Sequence, residues 1–417
     1  MQMRIEHQQT SEPSDAERAR LLIFAERIKN TKPIATICLL AACGIMFALQ
    51  LAWSGIDYTP GVVRLGANVP QLVKDGQLYR LVSCMFLHGG IEHLLMNMFV
   101  LYYLGGFTER LLGRRRFLVL YAVSGLCGSM ASAFISGGHI SLGASGAMWG
   151  MLGGLAALAF RPGGLVPAAF LPRLKRAALI NLAINVPVSF LPRVDMFAHF
   201  GGGLAGALLI GSGLLTQGLD LAEEHTLPAA RAGIGWLTPA SVLAAGMLLV
   251  GPIWAVCAGS PWQLGRPVSW HEYRLGETGL SVKIPSCLSN EPRAIHREDG
   301  VYEFVAGSLE TDPVLLDFLV VPLEGSGLDS SDLQAGIEQL KKLRQVKVPD
   351  GASRTEKVRE RLIGGRRTVE DAFEYNNGLK LRRFSQIVPG WIIQLEAVIW
   401  PDAPENLHLD IEQALAP

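Results

Sequence analysis

Ser145 stands in SLGASGAMWG (141–150), a hydroxyl set among glycines and apolar residues with little else polar beside it. His199 lies in a second apolar stretch, DMFAHFGGGLAG (195–206), while His93 and Asn97 are four apart in FLHGGIEHLLMNMFV (86–100). A serine within hydrogen-bond reach of an imidazole is the minimum for an activated nucleophile, because the ring takes the hydroxyl proton as the oxygen attacks a carbonyl. Residues four apart share one helix face, so His93 and Asn97 are suited to donate together to the oxyanion that then forms. Each such donor contributes about 10²- to 10³-fold in rate. The chemistry requires that these four residues meet.

The elements that must bring them together are membrane helices. The 417 residues are 49% hydrophobic and only 18% charged, against about 25% charged in an ordinary soluble chain. The apolar runs concentrate between Pro33 and about Ala258, and the remainder has soluble-protein chemistry. A span of about 20 apolar residues crosses about 30 Å of hydrocarbon, which predicts seven helices near 34–54, 91–106, 117–136, 143–160, 177–191, 195–215 and 236–258. The second, fourth and fifth are short, as expected of helices buried among others. The first thirty residues are charged and the first apolar run is long enough to stay in the bilayer, so no cleavable secretion signal is expected.

Basic residues orient the spans. Arg18, Arg20, Arg27, Lys29 and Lys32 precede the first; Arg110, Arg114, Arg115 and Arg116 lie between the second and third; Arg161, Arg173, Lys175 and Arg176 lie between the fourth and fifth. The alternate loops are poorer in Lys and Arg. The expected organisation is therefore a cytoplasmic segment 1–33, a membrane domain 34–258, a linker 259–268 and a soluble domain 269–417 outside, in a multi-pass protein of a plasma or bacterial inner membrane. Were the seventh run not to insert, the tail would stay cytoplasmic. In this orientation His93, Asn97, Ser145 and His199 all fall within about 10 Å of the outer ends of their helices, at 1.5 Å per residue. Glycine spacing pairs two of those helices: Gly146, Gly150 and Gly154 recur every four residues on the fourth, Gly202 and Gly206 on the sixth. Small residues at that interval let helix backbones approach closely in lipid.

At these residues the chain resembles the rhomboid family of intramembrane serine proteases. The resemblance rests on FLHGGIEHLLMNMFVLYYLGGFTERLLG (86–113), GASG (143–146) and DMFAHFGGGLAG (195–206), and covers about residues 78–215 in order and spacing. It implies an all-α six-helix core plus one C-terminal helix. Ser145 would be the nucleophile and His199 its base, a dyad without a catalytic acid. His93 and Asn97 would stabilise the oxyanion, with the Ser145 N–H as a further donor, and Trp149 would pack on the histidine. Gly143 and Gly146, flanking the nucleophile in GASG, would support it. The implied substrates are transmembrane segments, cut near the outer face with small residues at the bond, and no cofactor is implied. Tyr79-Arg80 departs from the Trp-Arg of many members, which touches the outer loop rather than the chemistry.

Other readings stand beside these. Asp195, one turn before His199, fits a helix N-cap better than a triad acid. His88 is read as lining a water path or capping the second helix, and Glu109 with Arg110 as tying down that helix's cytoplasmic end. The histidines come without HExxH or CxxC, so no metal site is expected, and zero net charge gives no argument for nucleic acid. Cys38, Cys43, Cys84 and Cys127 read as small apolar side chains, whereas pairing of Cys257 with Cys287 is left open. The alternative function is a non-catalytic relative that binds and escorts or retains transmembrane segments; it has no need of both Ser145 and His199.

The tail reads as an α+β domain with a mainly antiparallel sheet. Strands are predicted at 279–285, 301–307, 314–323, 379–388 and 391–400, with a hairpin turn at Asn377-Gly378 and helices at 330–345 and 404–415. It carries no catalytic constellation; binding substrate or an accessory protein, or shielding the site, are its candidate roles. A protease added outside intact cells should trim this tail, and complete protection would show that the seventh span or the orientation is wrong.

Overall fold

The computed structural model describes residues 14–53, 59–136, 139–162, 164–192, 194–219, 235–263, 269–275, 278–288, 293–296, 301–308, 312–323, 333–346, 348–401, 403, 407 and 411–415. Residues 264–268 of the expected linker and most of 404–410 in the expected last helix lie outside these. The chain divides into two compact units, Met1–Ala48 with Gly66–Cys257, and Leu49–Leu65 with Ala258–Pro417.

The first unit is helical because its apolar runs must satisfy their own backbone groups in hydrocarbon. Helix α1 (Asp15–Asn30) is capped by Ser14, whose hydroxyl accepts from the Glu17 N–H at 3.3 Å. It leads to α2 (Ile34–Trp53); α3 (Thr59–Arg64) follows in the chain but belongs to the second unit, and the first unit resumes with the short α4 (Pro70–Lys74) and α5 (Arg80–Ser83). Helix α6 (Ile91–Val100) runs through a π-helical turn, Leu101–Gly105, into α7 (Gly106–Leu112). There follow α8 (Arg114–Ile135), α9 (Ser145–Phe160), α10 (Leu171–Val188), α11 (Met196–Gly211) and α12 (Leu237–Gly259).

Among the described residues, Glu17–Trp53, Arg114–Ile135 and Leu237–Gly259 are long and apolar enough to cross a membrane, and the pair Arg80–Phe86 with Ile91–Leu112, bent by 93°, makes a fourth such element where it is one span. Ser145–Phe160 and Met196–Gly211 are shorter apolar helices. The chain is a multi-pass integral membrane protein.

Helix α9 is the core of this unit. Ala147, Met148, Met151, Leu152, Leu155 and Leu158 are all buried, and a helix apolar on every side is one enclosed by others. It is enclosed by backbone: a Cβ on Gly202 or Gly206 of α11 would fall onto the carbonyl oxygen of Gly146 or Gly150. On α8, a Cβ at Gly128 would stand 2.6 Å from the Ala198 carbonyl oxygen.

Far from that contact, Glu109 at 1% exposure ends the α6–α7 rod against the start of α2. Its carboxylate accepts from the Ala35 N–H at 2.9 Å, the Thr36 N–H at 2.7 Å and the Thr36 hydroxyl at 2.8 Å. These are N–H groups that a helix cannot satisfy from within, and negative charge is favoured at that terminus. Arg110 adds an Nε–H donated to the Thr31 carbonyl at 3.3 Å.

The second unit is rich in antiparallel sheet. Strands β1 (Trp270–Arg274) and β2 (Ser281–Pro285) form a hairpin. The other strands are β3 (Arg293–His296), β4 (Tyr302–Ala306), β5 (Val314–Pro322), β6 (Ala352–Ile363), β7 (Arg366–Tyr375), β8 (Lys380–Val388) and β9 (Trp391–Ile399). They make one sheet in the order β3-β4-β5-β9-β8-β7-β6. Alternation along each strand puts Phe318, Phe384 and Leu395 into a core shared with Val282 and Ile284 of the hairpin, while α13 (Leu333–Val346) packs Ile337 and Leu340 on Val369 of the opposite face.

Five of these strands, β2, β4, β5, β8 and β9, lie in the five runs expected from sequence, and β1, β3, β6 and β7 were not anticipated. Strands β6 and β7 are charge-rich, and their charges are paired across the sheet. Buried Asp371 meets Arg383 at 3.0 and 2.5 Å and Arg354 at 2.9 Å, and buried Glu370 meets Arg382 at 2.5 Å and Arg359 at 3.3 Å. The turn joining them is Gly364-Gly365, with φ of +58° and +77°, the left-handed pair that a tight hairpin needs. The same unit holds Arg64 of α3, 2% exposed, against Asp312 at 2.5 Å and the Cys287 carbonyl. Cys257 and Cys287 are both thiols rather than a disulfide; burial pushes the Cys287 thiol up to about 12, so it stays protonated at neutral pH.

Replacing Glu109 by Ala should destabilise the protein by about 3 kcal/mol, since it strands buried donors of a charge-assisted cluster. Glu109→Gln should lose less. Unfolding followed in mixed detergent micelles measures both, and equal stability of Glu109→Ala and the parent chain would remove the capping role.

Candidate active site

Ser145 is the first residue of α9, reached through Gly143, whose φ of +123° is open to glycine and strained for other residues. The Gly143 N–H donates to the Cys84 carbonyl at 2.9 Å, which pins this turn. A Cβ on Gly143 would stand 2.9 Å from His93 Nε2, 3.0 Å from its Cε1 and 3.8 Å from Asn97 Oδ1. Gly143 thus lies directly against the two side chains that α6 presents. As the first residue of its helix, Ser145 carries one of the N–H groups that has no partner within the helix, at the positive end of the helix dipole.

His93 and Asn97 are one turn apart, and the Asn97 Nδ2 donates to the His93 carbonyl at 2.9 Å. Among the described residues the second amide hydrogen of Asn97 has no acceptor. His93 Nδ1 accepts the Gly89 N–H at 3.3 Å. A backbone N–H can only donate, so in the neutral ring the proton sits on Nε2, the atom beside Gly143. His88, fully buried, stands edge-on to His93 with ring centroids 5.2 Å apart.

His199 is on the first turn of α11. Asp195 precedes the helix as its N-cap, Oδ1 accepting from the Ala198 N–H at 3.0 Å; its backbone carbonyl accepts the His199 N–H at 3.1 Å, and among the described residues its carboxylate makes no hydrogen bond to the His199 ring. Instead His199 Nδ1 is 2.7 Å from Ser189 Oγ. The imidazole lies on Trp149, with ring centroids 5.4 Å apart and planes 24° apart. Next to Ser145, a Cβ on Gly146 would stand 3.2 Å from the carbonyl oxygen of Ala198, the residue before His199.

The start of α9 is therefore flanked by α6 with His93 and Asn97 through Gly143, and by α11 with His199 through Gly146 and Trp149. Ser145 Oγ makes no hydrogen bond to His199 among the described residues. The nucleophile–base bond of such sites is often long before substrate closes on it. His139 is exposed between α8 and α9, apart from this cluster, and among the described residues no group of three or more His, Cys, Asp or Glu could hold a metal ion. Ser189 is the residue that sequence reading missed. Its only signal was a hydroxyl ending the fifth apolar stretch, ten residues before His199.

The Rhomboid domain family matches residues 75–215. RHOMBOID-like protein 5 of Arabidopsis thaliana is 41% identical over 156 residues, covering 36% of this chain and 48% of that protein. Rhomboid protease GluP of Bacillus subtilis is 34% identical over 179 residues, 43% of this chain and 34% of its own length. Rhomboid-like protease 3 of Toxoplasma gondii is 33% identical over 173 residues, 40% and 64%. The chain spans about half or less of the length of the first two.

Because Gly202 has no room for a methyl group against the Gly146 carbonyl, Gly202→Ala should force α9 and α11 apart at a cost of about 3 kcal/mol, with loss of any activity. Gly246 on α12 has nothing within 4 Å of its Cβ position, so Gly246→Ala should be neutral or slightly stabilising. Thermal midpoints of the two variants in detergent test the contrast, and equal tolerance would deny the close packing.

Proposed function

The chain belongs to the rhomboid family through residues 75–215, and on that footing we propose that it is an intramembrane serine endopeptidase that cuts transmembrane segments near the outer membrane face. Ser145 and His199 are the dyad, and an acyl-enzyme is the intermediate. The observation that carries the reading is the position of the α9 N-terminus: Gly143 lies against His93 and Asn97, and Trp149 in the next turn stacks on His199.

In this reading His199 Nε2 takes the Ser145 proton as Oγ attacks the scissile carbonyl. The oxyanion is met by His93 Nε2–H, the free amide hydrogen of Asn97 and the Ser145 N–H, with the α9 dipole behind them. His199 then gives its proton to the leaving amine, and water activated by the same ring releases the acyl group. No cofactor takes part.

Depth follows from helix length. The 16 residues of α9 span about 24 Å, less than the about 30 Å of hydrocarbon, so α9 cannot reach both faces, and we take its first residue to be the end recessed beneath one of them. We place that face outside, with seven helices over 34–258, residues 1–33 cytoplasmic and 269–417 extracytoplasmic, on the distribution of Lys and Arg. A substrate helix hides its carbonyls in its own hydrogen bonds. Small or helix-breaking residues near its outer end favour cleavage.

A fluorophosphonate should label the intact protein, and the labelling should vanish in Ser145→Ala and His199→Ala. His93→Ala and Asn97→Ala should each lower kcat on a transmembrane substrate by about 10²- to 10³-fold. Labelling that survives in Ser145→Ala would move the nucleophile elsewhere. A parent chain that binds transmembrane segments without labelling or cleavage would favour the escort reading.

A further inference from the structure

Ser189, the residue after α10, is 1% exposed, and its Oγ stands 2.7 Å from His199 Nδ1 and 2.9 Å from the Asn185 carbonyl oxygen. A hydroxyl has one proton to donate and lone pairs to accept. The carbonyl can only accept, and two oxygens at that distance with no hydrogen between them repel, so the Ser189 proton lies on the line to Asn185. Oγ is then an acceptor toward His199, and the short contact requires the ring proton on Nδ1. In a neutral imidazole this leaves Nε2 bare.

We infer that Ser189 is a positioning residue for the base: its hydroxyl, anchored on the Asn185 carbonyl, holds His199 as the Nδ1–H tautomer so that Nε2 is free to take the Ser145 proton. The inference rests on the dyad reading above. Ser189 fills the role that a carboxylate fills in a triad. Asp195 does not fill it, since one of its oxygens caps α11 and the other makes no hydrogen bond among the described residues. A hydroxyl suits this depth, because an ionised carboxylate inside a membrane domain is costly to desolvate. When Nε2 gains the Ser145 proton the ring becomes a cation. The Nδ1–H bond to Ser189 then becomes charge-assisted and stronger, and it relaxes when that proton leaves with the amine.

The test uses the full chain in detergent with ¹⁵N-labelled histidine, the His199 signals being assigned by their loss in His199→Gln. The parent chain should show Nδ1 protonated and Nε2 bare. Ser189→Ala should mix the tautomers and slow fluorophosphonate labelling and kcat by about 10- to 100-fold, the range found when the orienting partner of a metal-bound histidine is removed, with KM and the thermal midpoint little changed. Ser189→Thr, which keeps a hydroxyl at the same atom, should restore both spectrum and rate. An Nε2–H tautomer in the parent chain overturns the inference, as does a Ser189→Ala form with the parent's spectrum and rate, or a Ser189→Thr form no better than Ser189→Ala. A parent chain with the expected tautomer that labels no faster than Ser145→Ala overturns the protease reading and leaves the tautomer assignment standing.

Discussion

The approach of α11 to α9 at glycine is the constraint on which the candidate site depends. At Gly202 and Gly206 there is no space between the helices for even one carbon, since the carbonyl oxygens of Gly146 and Gly150 already occupy it. Lipid tails are as apolar as leucine, so helices in a bilayer gain little by merely burying side chains against each other. They gain from dispersion and weak Cα–H···O contacts that require close backbone approach. The same glycines that hold the pair together also fix the relative height of the two first turns. Ala198 is held against Gly146 and His199 against Trp149. Displacing catalytic groups by about 1 Å can cost about 10²-fold in rate, so in the proposed reaction a contact made for packing is also one that sets chemistry.

Helix α8 completes this arrangement from the other side. Gly128 lies under the Ala198 carbonyl and Gly150 under Ser124, so three helices meet through backbone and small side chains around the buried α9. By contrast α10 meets solvent or lipid with Leu179, Ile180, Ile184 and Val188. It joins the site through its end, where Ser189 follows the last turn.

Much of this was legible in the sequence for a physical reason. Apolar runs of helical length have one outcome in a membrane, and glycines four apart mark a face that another backbone can approach, so the sequence alone pairs α9 with α11. The tail was read less well. Its strands β5 and β9 are apolar and β-branched, but β6 and β7 read RTEKVRERLI and RRTVEDAFEY, a composition that argues for an exposed segment until the partner strand is known. Glu370 and Asp371 are buried because Arg354, Arg359, Arg382 and Arg383 arrive from neighbouring strands, and such pairing is a property of register that no local window contains. Ser189 was hidden for the same reason. A hydroxyl at a helix end usually means a local cap, and its contact with His199 exists only once α10 and α11 are folded against each other.

The two histidines that flank the start of α9 show how one side chain can be set up for two opposite roles. His93 Nδ1 faces a backbone N–H, that of Gly89, and must be the acceptor; its proton is left on Nε2, where it is a donor beside Gly143. His199 Nδ1 faces a hydroxyl whose own proton is committed to the Asn185 carbonyl, and must be the donor; its Nε2 is left as an acceptor. Neither assignment comes from the imidazole itself, because both tautomers of the free ring are close in energy. Each comes from a neighbour that can make its hydrogen bond in one direction only. The proposed reaction needs one ring to give a hydrogen bond to an oxyanion and another to take a proton, and in that reading Gly89 and Ser189 set up the division before any substrate arrives.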